Sequence, residues 1–222
     1  YHYPILTNKA DGIFDILEDK SRNLWIGTDK EGLFKFDRNN EVFVPLNYKA
    51  EPGNNVIRSL YEDLKGNIWI GTYGGGVFLY DYLDNFFHFN LPYQINSNSN
   101  KDQSNSVLAI HESPDNSLWL GTDGGGLTRY DRNKNGTTYF RKNGNNGLPG
   151  NTVLSLHYSK DNTLYIGTFL DGFSIYDVEE NRFTNFKNIP LNPQSIIDNT
   201  VWDIYEEKNG LVWLATNTGG LN

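Results

Sequence analysis

The sequence predicts an all-β fold in which one small antiparallel sheet is built about five times over. Three observations predict it. First, an aromatic-Ile/Leu-Gly/Ala-Thr tetrapeptide recurs: Trp25-Ile26-Gly27-Thr28, Trp69-Ile70-Gly71-Thr72, Trp119-Leu120-Gly121-Thr122, Tyr165-Ile166-Gly167-Thr168 and Trp213-Leu214-Ala215-Thr216. Second, each copy sits in the same frame. An apolar residue precedes it (Ile13, Ile57, Val107, Val153, Val201), and a glycine follows it (Gly32, Gly76, Gly126, Gly172, Gly220). Four copies then end on an aromatic and an aspartate: Phe36-Asp37, Tyr80-Asp81, Tyr130-Asp131 and Tyr176-Asp177. Third, residues alternate as strands require, as in Val153-Leu154-Ser155-Leu156-His157, and no window carries a helical stripe longer than about two turns.

Each unit reads as four strands. Strand a begins at the leading apolar residue. Strand b carries the tetrapeptide, whose aromatic and glycine face one way and whose neighbours face the other. A glycine turn follows, because a sharp hairpin needs positive φ. Strand c runs from that turn to aromatic-Asp. Strand d is a later aromatic segment: Val42-Phe43-Val44, Phe86-Phe87-His88-Phe89, Thr138-Tyr139-Phe140 and Phe183-Thr184-Asn185-Phe186. The opening Tyr1-His2-Tyr3-Pro4 resembles a strand d without its partners.

Four strands per unit at a period of about 44–50 residues is the signature of a β-propeller built of four-stranded antiparallel blades. The blades are expected at about 10–46, 54–90, 105–141, 151–187 and 199–222, in one partial propeller over 1–222 with 1–5 as an outer strand. A lone blade has no core, so stacking must supply it. Burying each strand-b aromatic is worth about 3 kcal/mol. The chain either closes as five blades or forms an arc of a larger, seven-bladed ring. The fifth copy stops early in strand c, so the arc is the reading adopted, with the chain a piece of a longer one. The loop from Leu91 to Asn105, with Asn96-Ser97-Asn98-Ser99-Asn100, is polar and low in complexity.

Composition narrows the function. A net charge of −8 disfavours a generic nucleic-acid or anionic-membrane surface, which needs clustered positive charge. No run approaches the roughly 18 apolar residues of a membrane span. With no cysteine there are no disulfides, thiol nucleophiles or thiolate metal sites.

Asn67-Ile68-Trp69-Ile70-Gly71-Thr72 with Gly75-Gly76-Val77 and Tyr80-Asp81 resembles the two-component regulator propeller repeat. So does Asn116-Ser117-Leu118-Trp119-Leu120-Gly121-Thr122 with Gly125-Gly126-Leu127 and Tyr130-Asp131. Tyr165 for tryptophan, Ala215 for glycine, and Lys30-Glu31 or Leu170-Asp171 where glycines are usual depart from it. The resemblance implies a periplasmic sensor ectodomain of a dimeric membrane histidine kinase. Many such ectodomains belong to hybrid two-component systems of gut Bacteroidetes that detect oligosaccharides. It also implies adjacent propeller and signalling domains, the kinase lying outside this chain.

The repeat supplies its own control: what recurs serves the blade, and what differs can serve a ligand. On this test Trp25, Trp69, Trp119, Tyr165 and Trp213 are core. The threonine of each tetrapeptide ties a strand end, and Asp37, Asp81, Asp131 and Asp177 bond their following turns. Glu18, Glu62, Glu112 and Glu206 share one blade position, which argues against a catalytic role for any one of them. The copies diverge where b–c turns meet the starts of strand a: Asp29-Lys30, Tyr73, Asp123, Phe169-Leu170-Asp171 and Asn217 in the turns, and Phe14, Arg58, Leu108, Leu154 and Trp202 on strand a. Arg58, Tyr73, Asp123, Phe169 and Trp202 are the candidate ligand-binding residues. Aromatics beside charges and amides suit a sugar, and Arg58 suits its carboxylate or sulfate; surface decoration or packing on another domain is the competing reading.

No catalytic residue, cofactor or metal is expected. His111 and His157 hold equivalent positions in adjacent blades, a spacing expected to keep them too far apart for one metal. Asp131-Arg132-Asn133-Lys134-Asn135-Gly136 opens like a calcium loop, but the twelfth position is Lys142, so it reads as a c–d turn. A non-catalytic sensor of a glycan-derived oligosaccharide is the expected function. The alternatives are an interaction scaffold with no ligand of its own and a propeller glycosidase or lyase, for which no acid–base pair stands out.

Overall fold

The structure is a computed structural model and describes residues 12–46, 55–81, 87–90, 106–144 and 147–222. The segment Tyr1–Pro4, the Leu91–Asn105 loop and the turn after Asp81 lie outside the described residues, as do the side chains of 87–90. No helix is long and apolar enough to cross a membrane among the described residues.

Five antiparallel sheets follow one another. The first holds β1 (Ile13–Glu18), β2 (Leu24–Thr28), β3 (Leu33–Asp37) and β4 (Val42–Leu46). The second holds β5 (Ile57–Glu62), β6 (Ile68–Thr72), β7 (Gly76–Tyr80) and β8 (Phe87–Asn90). The third holds β9 (Val107–Glu112), β10 (Ser117–Thr122), β11 (Leu127–Asp131) and β12 (Gly136–Phe140). The fourth holds β13 (Val153–Tyr158), β14 (Thr163–Thr168), β15 (Phe173–Asp177) and β16 (Arg182–Phe186). The fifth holds β17 (Val201–Glu206), β18 (Val212–Thr216) and β19 (Gly220–Leu221). Each sheet is a meander in chain order, four strands wide except for the three of the last. The chain divides into two compact units. Sheets one and two, with Val107, make the first; sheets three to five otherwise make the second.

The same pairing recurs in register. Ile13 faces Thr28, Ile57 faces Thr72, Val153 faces Thr168 and Val201 faces Thr216, each with an irregularity one step in. All five tetrapeptide threonines donate their hydroxyl to the carbonyl of the glycine four residues on, at 2.7–3.0 Å. Those glycines have φ between 73° and 99°, where a side chain is strained. At Gly126 and Gly172 a Cβ would also lie 2.3 and 2.2 Å from the carbonyl oxygens of Phe140 and Phe186. The Asp37, Asp131 and Asp177 carboxylates accept backbone N–H groups two and three residues ahead, which shapes the c–d turns. The Asp131–Gly136 segment is thus a hairpin turn with its first carboxylate turned inward.

The core forms between sheets. In the first unit, Trp25 is fully buried in a cluster with Ile57, Leu60, Ile68 and Ile70 of the second sheet. In the second unit, Trp119 is fully buried with Val153, Leu164, Ile166, Tyr176 and Phe183 of the fourth sheet. Tyr165 packs against Val201, Ile204 and Leu214 of the fifth. Strand b of one sheet therefore lies over strand a of the next, as β2 on β5, β10 on β13 and β14 on β17. Trp213 departs from the expected core role. It is 37% exposed, because among the described residues of its unit no sheet lies on that face of β18. At the other end, Ile13 and Ile16 are 48% and 55% exposed, whereas their counterparts Ile57 and Leu60 are buried.

The tetrapeptide glycine serves this stacking rather than the turn. A Cβ on Gly121 would sit 2.6 Å from Val153 Cγ1, and one on Gly167 would sit 2.7 Å from the Val201 carbonyl. Ala215 occurs in the fifth sheet, where no following strand presses on that position.

Each indole has a polar tether that the sequence reading missed. Trp25 Nε1–H donates to Asp19 at 2.7 Å, Trp69 to Asp63 at 3.0 Å, Trp119 to Ser113 at 3.2 Å and Trp213 to Glu207 at 2.7 Å. The partner always lies six residues back, just past strand a. A buried indole N–H without an acceptor would cost about 1–3 kcal/mol.

Candidate functional site

Within each sheet, the start of strand a and the b–c turn lie at one end. The residue after the threonine donates its N–H to the residue before strand a: Asp29 to Gly12, Tyr73 to Val56, Phe169 to Thr152 and Asn217 to Thr200. Within each of these sheets, the positions where the copies diverge therefore share one end.

In the first unit, Arg58 is half-buried with its guanidinium carbon 4.0 Å from the centre of the Phe14 ring. The two residues stand at the same step of adjacent strands a, so the arginine that breaks the aliphatic pattern is placed by an aromatic that also breaks it. Tyr73 is 51% exposed at the tip of its turn. The next residue, Gly74, donates its N–H to Ser106 Oγ at 3.1 Å.

The second unit carries the other three candidates. Asp123 Oδ1 accepts the Thr152 hydroxyl at 3.3 Å. Phe169 is 44% exposed and is followed by Leu170 at φ 63°, itself exposed. Leu170 N–H donates to Thr200 Oγ1 at 3.1 Å, so the strained turn is held by the loop before β17. Trp202 is 46% exposed, and its Nε1–H donates to Asn217 Oδ1 at 3.2 Å. That bond fixes one edge of the indole and leaves a face to solvent. Arg58 and Tyr73 thus belong to one unit, and Asp123, Phe169 and Trp202 to the other.

Three supports of these sheet ends were not foreseen. Asn151 and Asn199 use both ends: their carbonyls accept the N–H of Gly126 and Gly172 at 2.7 Å, and their side chains accept the N–H of Lys142 and Asn188. The signal was Asn-Thr-Val before strand a at both places. Asp171 accepts from both Lys142 and Lys187 at 3.1 Å. Burial opposes its ionisation, but the two ammonium groups outweigh it and hold the carboxyl below its ordinary range. The Asp198 carboxyl is likewise low, chiefly through the hydroxyl of Thr218 and the N–H of Thr200.

The histidines correct an expectation. The rings of His111 and His157 are not far apart; their centres are 5.4 Å apart in an edge contact, because strands a of adjacent sheets converge. His157 Nε2 also lies 2.9 Å from Glu206 and its ring stacks on Tyr165. Burial pushes the His111 imidazole down to about 4, with a smaller push from His157 against a bond to the Glu112 carbonyl. No group of three metal-binding side chains occurs among the described residues.

Exposed aromatic rings stand beside amide groups at these sheet ends, as Trp202 does beside Asn217.

Known proteins were compared with this chain. No curated protein matches it. Its fold matches the extracellular domain of a putative hybrid two component system of B. thetaiotaomicron, at 22% identity and a TM-score of 0.77, over 100% of this chain and 28% of that one. A second such domain from the same organism matches at 20% identity and a TM-score of 0.58, over 97% of this chain and 34% of the other. Virginiamycin B lyase of Staphylococcus aureus shares the fold at 16% identity and a TM-score of 0.70, over 99% of this chain and 71% of the enzyme, so the fold alone does not assign a chemistry. The chain spans under a third of the length of the first of these structures. The model of the two component regulator propeller matches residues 9–30, 51–74, 102–124 and 195–218. These matches fall on four of the five tetrapeptides and the strands a that precede them, and the one passed over is the copy with Tyr165. The chain therefore carries four repeats that match the two component regulator propeller.

Proposed function

We propose that this chain is a non-catalytic part of the extracytoplasmic sensor region of a two-component receptor. In this reading the ligand is a glycan-derived oligosaccharide, the candidate binding residues are Arg58 and Tyr73 in one unit and Asp123, Phe169 and Trp202 in the other, and the change passes to a histidine kinase in the parent chain. A periplasmic position and a dimeric receptor follow from the same reading. The observation that carries it is the contrast inside the repeat. Threonine, glycine and indole tether recur sheet after sheet, whereas exposed aromatics gather where the copies differ. An apolar ring face beside amide and charged groups fits a sugar, which has an apolar face and a rim of hydroxyls.

The five blades belong, in this reading, to one larger propeller. Ile13 and Ile16 at one end and Trp213 at the other are exposed at positions that stacking buries elsewhere. The same exposure favours a second reading, in which the blades only dock neighbouring domains. Calorimetric titration of the 222-residue chain with a panel of neutral plant and host oligosaccharides separates the two. The sensor reading expects one class to bind without turnover and Trp202→Ala to weaken it about tenfold or more. No heat from any sugar would leave the docking role, and appearance of cleaved product would replace both with an enzyme.

A further inference from the structure

A cavity of about 530 Å³ opens on the second unit, and one of its lining residues, Lys142, also bonds Asp171 of the sheet end just described. It lies between the fourth strand of the third sheet, with the residues that follow β12, and the fourth strand of the fourth sheet. Its size falls within the roughly 300–1,000 Å³ of small-molecule sites. The deeper wall is aromatic: Phe140 and Phe183, rings 5.8 Å apart, are held by Trp119 and Tyr176. Asn143 and Asn181 bring side-chain amides to the mouth, and Arg141 and Lys142 bring two positive charges.

Among the described residues no carboxylate lines this cavity, in a chain whose net charge is −8. Arg141 is half-buried and pairs with no carboxylate among the described residues. Lys142 shares Asp171 with Lys187, so one negative charge serves two positive ones. The local field is therefore positive, against the sign of the whole molecule.

We propose that this cavity binds an acidic sugar, one that carries a carboxylate or a sulfate. The guanidinium of Arg141 presents a planar fork that matches either anion. Lys142 adds a second charge without that geometry. The Asn143 amide can both donate and accept, and the Asn181 amide, whose oxygen accepts the Tyr176 hydroxyl at 2.7 Å, can donate its N–H groups to ring hydroxyls. The aromatic wall takes the apolar face of the ring. None of its lining residues is among the five candidates Arg58, Tyr73, Asp123, Phe169 and Trp202.

The test titrates the 222-residue chain with four probes: a glucuronate-containing disaccharide, the same disaccharide with its carboxyl reduced to an alcohol, a sulfated form of that neutral disaccharide, and inorganic sulfate. One or both acidic sugars should bind about tenfold or more tighter than the uncharged one, and more weakly as salt rises. Arg141→Gln should remove most of that preference and Lys142→Gln part of it. Both side chains reach the surface, and an unchanged unfolding midpoint will show that each variant is folded. Equal affinity for the charged and uncharged disaccharides overturns the proposal, as does inorganic sulfate binding as tightly as the sugars. So does an Arg141→Gln variant that binds as well as the parent. Binding lost in Trp202→Ala but kept in Arg141→Gln would place the sugar at the sheet end that carries Trp202, which sinks this proposal and leaves that reading standing.

Discussion

Trp119 in the third sheet and Trp213 in the fifth hold one position in one motif, yet they live in different surroundings. Both lie in a strand b, both tether their indole N–H to a residue six places back, and both are followed by a threonine bonded to its glycine. Trp119 is sealed by the fourth sheet and is wholly buried, while 37% of Trp213 stays open. A blade does not contain its own core. It contains half of one, and the next blade in line supplies the rest.

The largest expected effect separates the two tryptophans directly. Trp119→Ala should cost about 3–5 kcal/mol of unfolding free energy, since it empties a closed site. Trp213→Ala should cost less, about 1–2 kcal/mol, since part of that indole is already open to solvent. Chemical denaturation of the two variants measures both, and equal losses would break the comparison.

A second pair sharpens it at the glycine two residues on. Gly167→Ala forces a methyl to within 2.2 Å of Ser155 Oγ and 2.7 Å of the Val201 carbonyl, and should cost about 1–3 kcal/mol. Ala215→Gly, the reverse change on the uncovered sheet, should cost about 1 kcal/mol or less. A harmless Gly167→Ala would mean that the sheets stand further apart than described.

The smallest effect concerns pH. His111 is covered by His157 of the next sheet, whereas Tyr205, at the same step of the last sheet, is 64% exposed. The unfolded chain takes up a proton at His111 near 6.5, and the folded chain does so only at about 4. Stability from this residue is thus complete above pH 6.5 and drains away as pH falls toward 4. His111→Phe should flatten that part of the pH–stability curve. An unchanged curve would show that the imidazole is not sealed between sheets.

Much of the scaffold was legible because the chain is its own alignment. Recurrence of Thr28, Thr72, Thr122, Thr168 and Thr216 pointed to a shared bond, and the bond is there. Asp37, Asp131 and Asp177 likewise bond the turns assigned to them. Recurrence was blind in two ways. It could not see that Trp213 differs from Trp119, since covering depends on a neighbouring sheet and not on the motif. It also missed the indole tether, because Asp19, Asp63, Ser113 and Glu207 offer the same acceptor from three different side chains. At the candidate site, divergence picked out exposed residues such as Trp202 and Phe169. It did not reveal that Arg58 is seated on Phe14, or that two lysines converge on Asp171, because those contacts join residues far apart in the chain.

The bond from the Trp213 indole to Glu207 has a consequence beyond stability. It clamps the ring in one orientation while solvent still reaches it, so the emission of that indole depends on what stands before it. Anything seated on the fifth sheet, whether another domain or another protein, would displace water from a ring that cannot turn aside. The molecule in this way carries a fixed optical gauge of whether its last sheet is occupied.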